Sequence, residues 1–184
     1  MYEIRHVRSA QLPLEISLQV SSFVRIVWGA DQKGEDRFWQ MSDPEGLDEH
    51  FYIAERGVLI SHAAVSRLTI THLGQTYRVR GVGGVFTYPA FRNEGHGTRL
   101  VAAVSDSIRS SDADLGMLFT GLDHHPFYRR SGWTTVNRDG LYFGDPQQPE
   151  WTDSHLMILP VSEKGIAHRD DFERESLYVG NSTW

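Results

Sequence analysis

The sequence contains no cysteine. Without thiols the chain can form neither a disulfide nor a thiolate metal site, and a cysteine nucleophile is excluded as well. Covalent catalysis by this chain would therefore have to use serine, threonine or lysine.

Long hydrophobic runs are missing too. No segment approaches the about 20 consecutive apolar residues that a membrane-spanning helix needs. The first five residues, Met-Tyr-Glu-Ile-Arg, lack the layout of a signal peptide. We therefore expect a soluble, cytoplasmic protein that does not act at a membrane.

Basic residues are in the minority, and the formal net charge is −6. This balance argues against a nucleic-acid partner, because a phosphate backbone requires clustered Lys and Arg. It weakly favours a cationic partner. Many soluble proteins are equally acidic, so the charge alone does not identify the ligand.

Histidine is frequent, with nine residues, but its spacing does not indicate a metal site. His124 and His125 are adjacent and would point to opposite faces of a strand. No pair of histidines four residues apart lies near an acid. We predict no metal.

The residues that are abundant describe a folded domain. Forty per cent of the chain is hydrophobic, including five Trp, seven Tyr and nine Phe, which provides enough apolar surface to offset chain entropy. The length of 184 residues suits one hydrophobic core. We expect a single domain over residues 1–184.

The pattern of apolar residues predicts a mixed α/β (α+β) fold around one mostly antiparallel sheet. Glycine-containing turns at residues 56–57 and 73–75 separate the strands of a meander. Predicted strands cover residues 2–7, 51–55, 58–65, 67–71, 76–80, 85–87, 115–120, 133–136 and 156–160. Predicted helices cover residues 12–24, the segment with Leu100 to Ile108, and a short helix from Pro126 that stops at Gly132.

Two segments are predicted without a regular element. Residues 29–46 mix acids, aromatics and breakers, which indicates an ordered loop or short helices. A polar tail follows residue 160, and residues 162–171 are the stretch most suspicious for disorder.

Gly95 and Gly97 lie where a strand is followed by a helix. The missing side chains would let an anion approach main-chain N–H groups at the positive end of the helix dipole. Arg92 would add a permanent charge suited to phosphate, although a turn with a solvated Arg is the structural alternative. The loop has neither the Lys-Ser/Thr of a P-loop nor the third glycine and distal acid of a dinucleotide fold.

This loop resembles the pyrophosphate loop of the GCN5-related N-acetyltransferase (GNAT) superfamily, Gln/Arg-x-x-Gly-x-Gly/Ala, matched by Arg92, Gly95 and Gly97. Residues 127–133 are similar to the family's aromatic-Tyr-x-x-x-Gly-aromatic segment. The resemblance implies the GNAT fold and an N-acetyltransferase that uses acetyl-coenzyme A as donor. It also implies that the pantetheine arm binds to the main chain of Val85, Phe86 and Thr87. The implied pyrophosphate-binding residues are Arg92, Asn93, Glu94, Gly95, His96, Gly97 and Thr98.

Within the superfamily, the sequence most resembles the aminoglycoside 2′-N-acetyltransferases, in residues 60–65, 99–101, 128–133 and 159–160 and in a C-terminal Trp. This implies an aminoglycoside acceptor and antibiotic resistance. Carboxylates and flat rings would bind such a cationic sugar, although a solvated surface position is the alternative for each acid. The candidates are Asp31, Glu35, Asp36, Asp123, Glu150, Asp153 and Trp184 with its terminal carboxylate. Dimers are common among such relatives, so a homodimer is an open alternative.

The resemblance implies that Tyr128 is the general acid that protonates the departing thiolate. The structural alternative is an aromatic ring packed under the helix. Many family members carry a Glu base on the strand before the cofactor loop, but residues 81–85 contain no carboxylate. Asp123 is the first candidate for the base. The others are His124, His125, the Trp184 carboxylate and water.

His62 is interpreted as a packed strand histidine rather than a catalytic one. Two alternatives to the aminoglycoside enzyme stay open at this point. One is a GNAT enzyme acting on a protein N-terminus, a lysine or a polyamine. The other is a non-catalytic module that binds coenzyme A or sequesters the drug.

Overall fold

The computed structural model describes residues 2–29, 49–136, 141–145, 147–152 and 155–180. The predicted loop at residues 29–46 therefore falls almost entirely outside the described residues. The strands are β1 (Arg5–Arg8), β2 (Glu49–Glu55), β3 (Val58–His72), β4 (Gln75–Thr87), β5 (Leu115–Thr120), β6 (Thr134–Thr135), β7 (Leu141–Phe143), β8 (Glu150–Thr152), β9 (His155–Pro160) and β10 (Leu177–Tyr178). The helices are α1 (Leu14–Val27), α2 (His96–Arg109), α3 (His125–Arg129) and α4 (Glu163–Ala167).

Seven strands form one sheet in the order β1-β2-β3-β4-β5-β9-β6. β1 and β2, β2 and β3, β5 and β9, and β6 and β9 pair antiparallel. β4 and β5 are parallel, and α2 lies in the connection between them. A second sheet has the order β10-β7-β8. The predicted mixed α/β architecture with a mostly antiparallel sheet is confirmed.

Both predicted hairpin turns are present. Arg56 and Gly57 have φ values of 52° and 80°, and Leu73 and Gly74 have values of 48° and 75°. Positive φ at both central residues is what a two-residue type I′ turn requires. The strands beside the second turn are longer than predicted, because β3 runs unbroken from Val58 to His72.

The chain divides into two compact units, of which the first is Met1–Val65 with Gly84–Leu100. Its core is formed by one face of α1 and by residues of β2, β3 and β4. The buried α1 residues recur at helical spacing and so share one face, while Leu14, Leu18 and Ile26 of the same helix are exposed. The buried members of this cluster are Ile16, Val20, Phe23, Val24, Tyr52, Leu59 and Phe86.

The second unit is Ser66–Gly83 with Val101–Trp184. Its core combines the opposite ends of β3 and β4 with β5, β9 and the C-terminal segment. The buried members are Ile70, Tyr77, Val79, Leu115, Met117, Val136, Leu141, Leu156, Ile158, Phe172, Leu177 and Val179. None of the described helices is long and apolar enough to cross a membrane.

The prediction of a disorder-prone stretch at residues 162–171 is wrong. Ser162 caps α4 by accepting a hydrogen bond from the Gly165 amide, and a 3₁₀ turn at Arg169–Glu173 follows. Phe172 is completely buried. The segment itself is polar and largely exposed, and Phe172, directly after it, anchors it to the core.

Other details also differ from the predictions. β1 begins at Arg5 rather than at residue 2, and β6 contains only Thr134 and Thr135. His124 and His125 lie in a 3₁₀ turn and at the start of α3, not on a strand. Because the turn after β5 is helical, the strand geometry expected for this pair does not apply.

Candidate active site

The loop between β4 and α2 presents a set of main-chain N–H groups. The carbonyl of Gly95 accepts the first intrahelical hydrogen bond, from the Arg99 amide at 3.1 Å. The amides of residues 96–98 therefore precede the helical ladder and have no acceptor within the helix. They lie at the positive end of the α2 dipole, where an anion is favoured.

Glycine is required in this loop by its backbone conformation. Gly95 has φ +79°, in the left-handed region that side chains disfavour, and a Cβ at this position would meet nothing within 4 Å. The space beside Gly95 itself is therefore open. Asn93, two residues earlier, also has a positive φ of 66°, which asparagine tolerates better than most residues.

The side chains around the loop are one guanidinium, one carboxylate and one buried imidazole. The Arg92 Nε donates to the Thr87 carbonyl at 3.0 Å, so one of the five guanidinium N–H groups ties the loop to β4. The Glu94 carboxylate lies 3.0 Å from Nε2 of His96. The His96 ring is buried, and its Nδ1 has no partner among the described residues.

The end of β4 leads directly into this loop. Pairing with β5 extends from Val79 to Val82, and β4 continues to Thr87. Gly84 has φ +56°, which marks a local irregularity of the strand. The Ser61 hydroxyl donates to the Phe86 carbonyl at 2.9 Å, and the Phe86 ring stacks on Phe23. The Phe86 side chain therefore belongs to the core, and only its main chain could contact a ligand.

Tyr128 lies in α3 and is 7% exposed. Burial raises the pKa of its phenol to about 12, so the group is neutral and protonated at physiological pH. Its ring packs edge-on against Phe127. The ring is thus packed, as the structural alternative expected, and it also keeps the proton that a general acid needs.

The rest of the residue 127–133 motif is explained by packing. Trp133 is fully buried, and its indole N–H donates to the Ser105 hydroxyl at 2.9 Å. Gly132 has φ +89° at the turn that ends α3. Gly116 leaves room for the indole, since a Cβ there would lie 2.8 Å from the ring.

The candidate bases differ in exposure. Asp123 and His124 are exposed in the 3₁₀ turn Leu122–His124. His125 is buried, with Nδ1 2.9 Å from the Thr135 hydroxyl. Its pKa is lowered, first by burial and then by the neighbouring positive charges of His155 and Arg129. His125 is therefore held as a neutral structural group, whereas Asp123 is accessible to solvent.

Most of the predicted substrate-binding acids fall outside the described residues. Glu150 is described, as is Asp123, and it is exposed at the start of β8, paired with Phe143. The predicted residues that are not described are Asp31, Glu35, Asp36, Asp153 and Trp184. Within the described part of the chain, no three His, Asp or Glu side chains are grouped to hold a metal ion.

His62 is buried on β3, as expected, but its partner was not anticipated. Its Nε2 lies 3.1 Å from Nδ1 of His50, which is also fully buried. The pairing could have been suspected only from the register of the β2–β3 hairpin. His50 is opposite Ala64 and His62 is opposite Tyr52, which makes the two histidines diagonal neighbours on one face.

Comparison with known proteins identifies the family. Residues 3–136 match the model of the acetyltransferase (GNAT) domain, which is well over half of the chain. The chain belongs to the GNAT acetyltransferase family. No curated protein sequence matches this GNAT chain.

Solved structures resemble this GNAT chain at low sequence identity. The GNAT family N-acetyltransferase YhbS of Escherichia coli, crystallised with CoA, is 15% identical, with a TM-score of 0.62 over 98% of this chain and 89% of its own. A GNAT family acetyltransferase of Brucella melitensis, crystallised with acetyl-CoA, is 15% identical, with a TM-score of 0.57 over 88% of this chain and 90% of its own. A conserved Enterococcus faecalis protein is 17% identical, with a TM-score of 0.57 over 73% of this chain. The alignment spans only 33% of that longer protein. At these identities the likeness supports the fold, and the expected GNAT fold is confirmed.

Proposed function

We propose that this protein is an N-acetyltransferase that uses acetyl-coenzyme A as its acetyl donor. The observation that carries the proposal is the loop between β4 and α2. There the amides of residues 96–98 lie at a helix N-terminus and have no acceptor within the helix, and Gly95 before them is unobstructed. The GNAT relatives crystallised with CoA and acetyl-CoA are consistent with the same ligand class.

The donor contacts follow from this geometry. We assign the pyrophosphate to the amides of residues 96–98, assisted by the Arg92 guanidinium, which already hydrogen-bonds the end of β4. The pantetheine arm is assigned to the main chain of residues 85–87, beyond the paired part of β4. The bound donor supplies a thioester carbonyl activated toward amines.

The reaction is a direct transfer in a ternary complex. A neutral amine attacks the thioester carbonyl, the new C–N bond forms, and the C–S bond breaks. The amine nitrogen loses one proton and the thiolate gains one, so the exchange is balanced without a covalent enzyme intermediate. No cysteine is present to form one.

We assign Tyr128 to the leaving thiolate. Its pKa of about 12 lies above the value of about 8.5 for an ordinary thiol. Complete transfer of the phenol proton would cost about 5 kcal/mol at this difference of roughly 3.5 units. The phenol is therefore best suited to stabilise the thiolate by donating a hydrogen bond. The thiolate would then take its final proton from the amine or from solvent.

We assign the base to Asp123, the first candidate from the sequence. Its exposed carboxylate, in the turn after β5, is open to an incoming amine or to a bridging water. His125 is a poorer candidate, because it is buried and burial lowers its pKa. Asp123→Asn should lower the rate at neutral pH, and the loss should shrink at higher pH, where more of the amine is already deprotonated.

For the acceptor, we propose a small cationic amine, with the 2′-amine of an aminoglycoside first. The support is the sequence resemblance in residues 60–65, 99–101, 128–133 and 159–160, together with the net charge of −6. Acetylation would remove a positive charge from the drug and give resistance. A protein N-terminus, a lysine, a polyamine or non-catalytic drug binding are the alternatives. Single-domain organisation, homodimer formation and a cytoplasmic location stay predictions.

The test is release of free thiol from acetyl-coenzyme A with a panel of amines. The panel contains aminoglycosides with and without a 2′-amine, polyamines and peptide amines, and coenzyme A binding is measured separately by calorimetry. Turnover confined to 2′-amino drugs supports the full proposal. Turnover with other amines refutes the aminoglycoside acceptor, and binding without any turnover refutes the catalytic role. No binding of coenzyme A refutes the donor assignment.

A further inference from the structure

A chain of hydrogen bonds crosses the core of the first unit and ends on β4. The Ser9 hydroxyl lies 3.0 Å from Nε2 of His50. Nδ1 of His50 lies 3.1 Å from Nε2 of His62, and Nδ1 of His62 lies 2.9 Å from the Gly84 carbonyl. Both imidazoles have no exposed surface. This series of hydrogen bonds is separate from the loop before α2 and from the α3 motif described above.

The Gly84 carbonyl, at the end of this series of hydrogen bonds, fixes the direction of each bond in it. A carbonyl only accepts, so Nδ1 of His62 must carry its proton. The neutral ring then has a bare Nε2, to which Nδ1 of His50 donates. His50 in turn has a bare Nε2, to which the Ser9 hydroxyl donates. One tautomer of each histidine satisfies all three contacts.

This arrangement holds a backbone group rather than moving a proton. A proton relay needs a group at its end that can accept or release a proton, and a peptide carbonyl does neither. The Gly84 peptide is also the point at which β4 departs from regular strand geometry, with φ +56°. The ring of His62 packs 5.5 Å from the ring of Phe86, on the strand segment that follows.

We propose that His62, oriented by His50 and Ser9, is a positioning residue that fixes the Gly84 peptide and thereby the donor-binding main chain of residues 85–87. The inference rests on the proposed function, in which that main chain binds the pantetheine arm. His62 touches neither the donor nor the amine in this role. Ser61 fixes the same segment from β3, through its bond to the Phe86 carbonyl.

Two substitutions at His62 separate the hydrogen bond from the packing. In His62→Asn the amide N–H₂ occupies roughly the place of Nδ1 and can still donate to Gly84. In His62→Gln the amide lies near the place of Nε2, toward His50, and the bond to Gly84 is lost. We expect coenzyme A to bind His62→Gln about tenfold more weakly than wild type, as expected for the loss of one buried hydrogen bond. His62→Asn should stay within about threefold of wild type.

His72 provides a matched control. It is also a buried strand histidine that bonds a backbone carbonyl, that of Asp171, at 2.9 Å, but it lies in the second unit. His72→Gln should leave coenzyme A affinity within about twofold of wild type. At saturating donor, kcat of His62→Gln should fall much less than kcat/KM for acetyl-coenzyme A. A general loss of stability would not produce this pattern.

The tautomers are tested without any ligand by long-range ¹H–¹⁵N NMR of the imidazole rings. His50 and His62 should both be neutral and protonated on Nδ1. A proton on Nε2 of His62 overturns the proposal, and so does equal coenzyme A affinity in His62→Gln and His62→Asn. If the wild-type protein binds no coenzyme A, the proposed function is refuted instead. The NMR measurement still tests the His62 contact, because it requires no ligand.

Discussion

The two buried histidines make a specific prediction about acid stability. Burial lowers the pKa of His50 to about 4. The pKa of His62 is lowered to about 3, mainly by burial and then by the proximity of His50, while the bond to the Gly84 carbonyl opposes the shift. In the unfolded chain both rings return to a pKa near 6.5. The unfolded state therefore binds more protons than the folded state over the interval below pH 6.5.

The sign and size of the effect follow by linkage. Stability from these groups is complete above about pH 6.5 and is lost as the pH falls toward the folded pKa values. At about pH 5 each histidine should have lowered the free energy of unfolding by roughly 2 kcal/mol, and the two together by about 4 kcal/mol. Typical domains have about 5–15 kcal/mol in total, so the loss is a large share of the free energy of unfolding.

The assay is urea unfolding at several pH values between about 5 and 7.5, followed by fluorescence of the tryptophans. The comparison is the double variant His50→Gln, His62→Asn, which cannot titrate at these positions but keeps polar side chains there. All other ionisable groups are common to both proteins. The difference between their pH slopes therefore isolates the pair, and the variant should lose about 4 kcal/mol less between these limits.

Parallel curves for the two proteins would refute the reasoning. If the free energies of unfolding of wild type and variant change with pH to the same extent, within about 1 kcal/mol, the histidines titrate normally in the folded state. Burial would then not keep the two rings neutral below about pH 6.5. A steeper loss in the variant would contradict the sign of the shifts.

Three further predictions concern other elements. Tyr128→Phe should lower the maximal rate roughly 10²-fold with coenzyme A affinity unchanged, and a rate within twofold of wild type would exclude the phenol from the mechanism. Gly97→Asp should weaken coenzyme A binding at least about tenfold, because a carboxylate faces the phosphate site, and an unchanged calorimetric affinity would contradict the loop assignment. Gly116→Ala should destabilise the fold by about 1–3 kcal/mol, because its Cβ would lie 2.8 Å from the Trp133 ring. Gly121→Ala is the matched control, since φ is −70° and the nearest contact would be 3.8 Å, and equal effects of the two would contradict the packing argument.

Local signals in the sequence were sufficient for much of the fold. The two hairpins are marked by glycines that accept positive φ, and α2 by apolar residues at helical spacing. The glycines of the loop before α2 could be interpreted because their role depends on nearby backbone alone. The bounds of β5 were predicted correctly, because Asp112 and Asp114 precede a continuous apolar run.

Features that depend on distant residues were not accessible in the same way. The contact between His50 and His62 requires the exact register of β2 on β3, which shifts at Ile53 and Ala54. The C-terminal segment is ordered by isolated anchors such as Phe172, which a composition average does not detect. Whether Tyr128 is packed or exposed depends on neighbours that its motif does not specify.

The glycines of β4 explain why a carboxylate is not found at this part of the strand. Gly84 has φ +56°, so any side chain there would be strained, and its Cβ would lie 3.6 Å from the His62 ring. A Glu at position 84 would also place a negative charge beside an imidazole that the surroundings keep neutral. Position 84 is therefore unfavourable for a carboxylate base. This agrees with the proposed assignment of the base to Asp123, in the turn after β5.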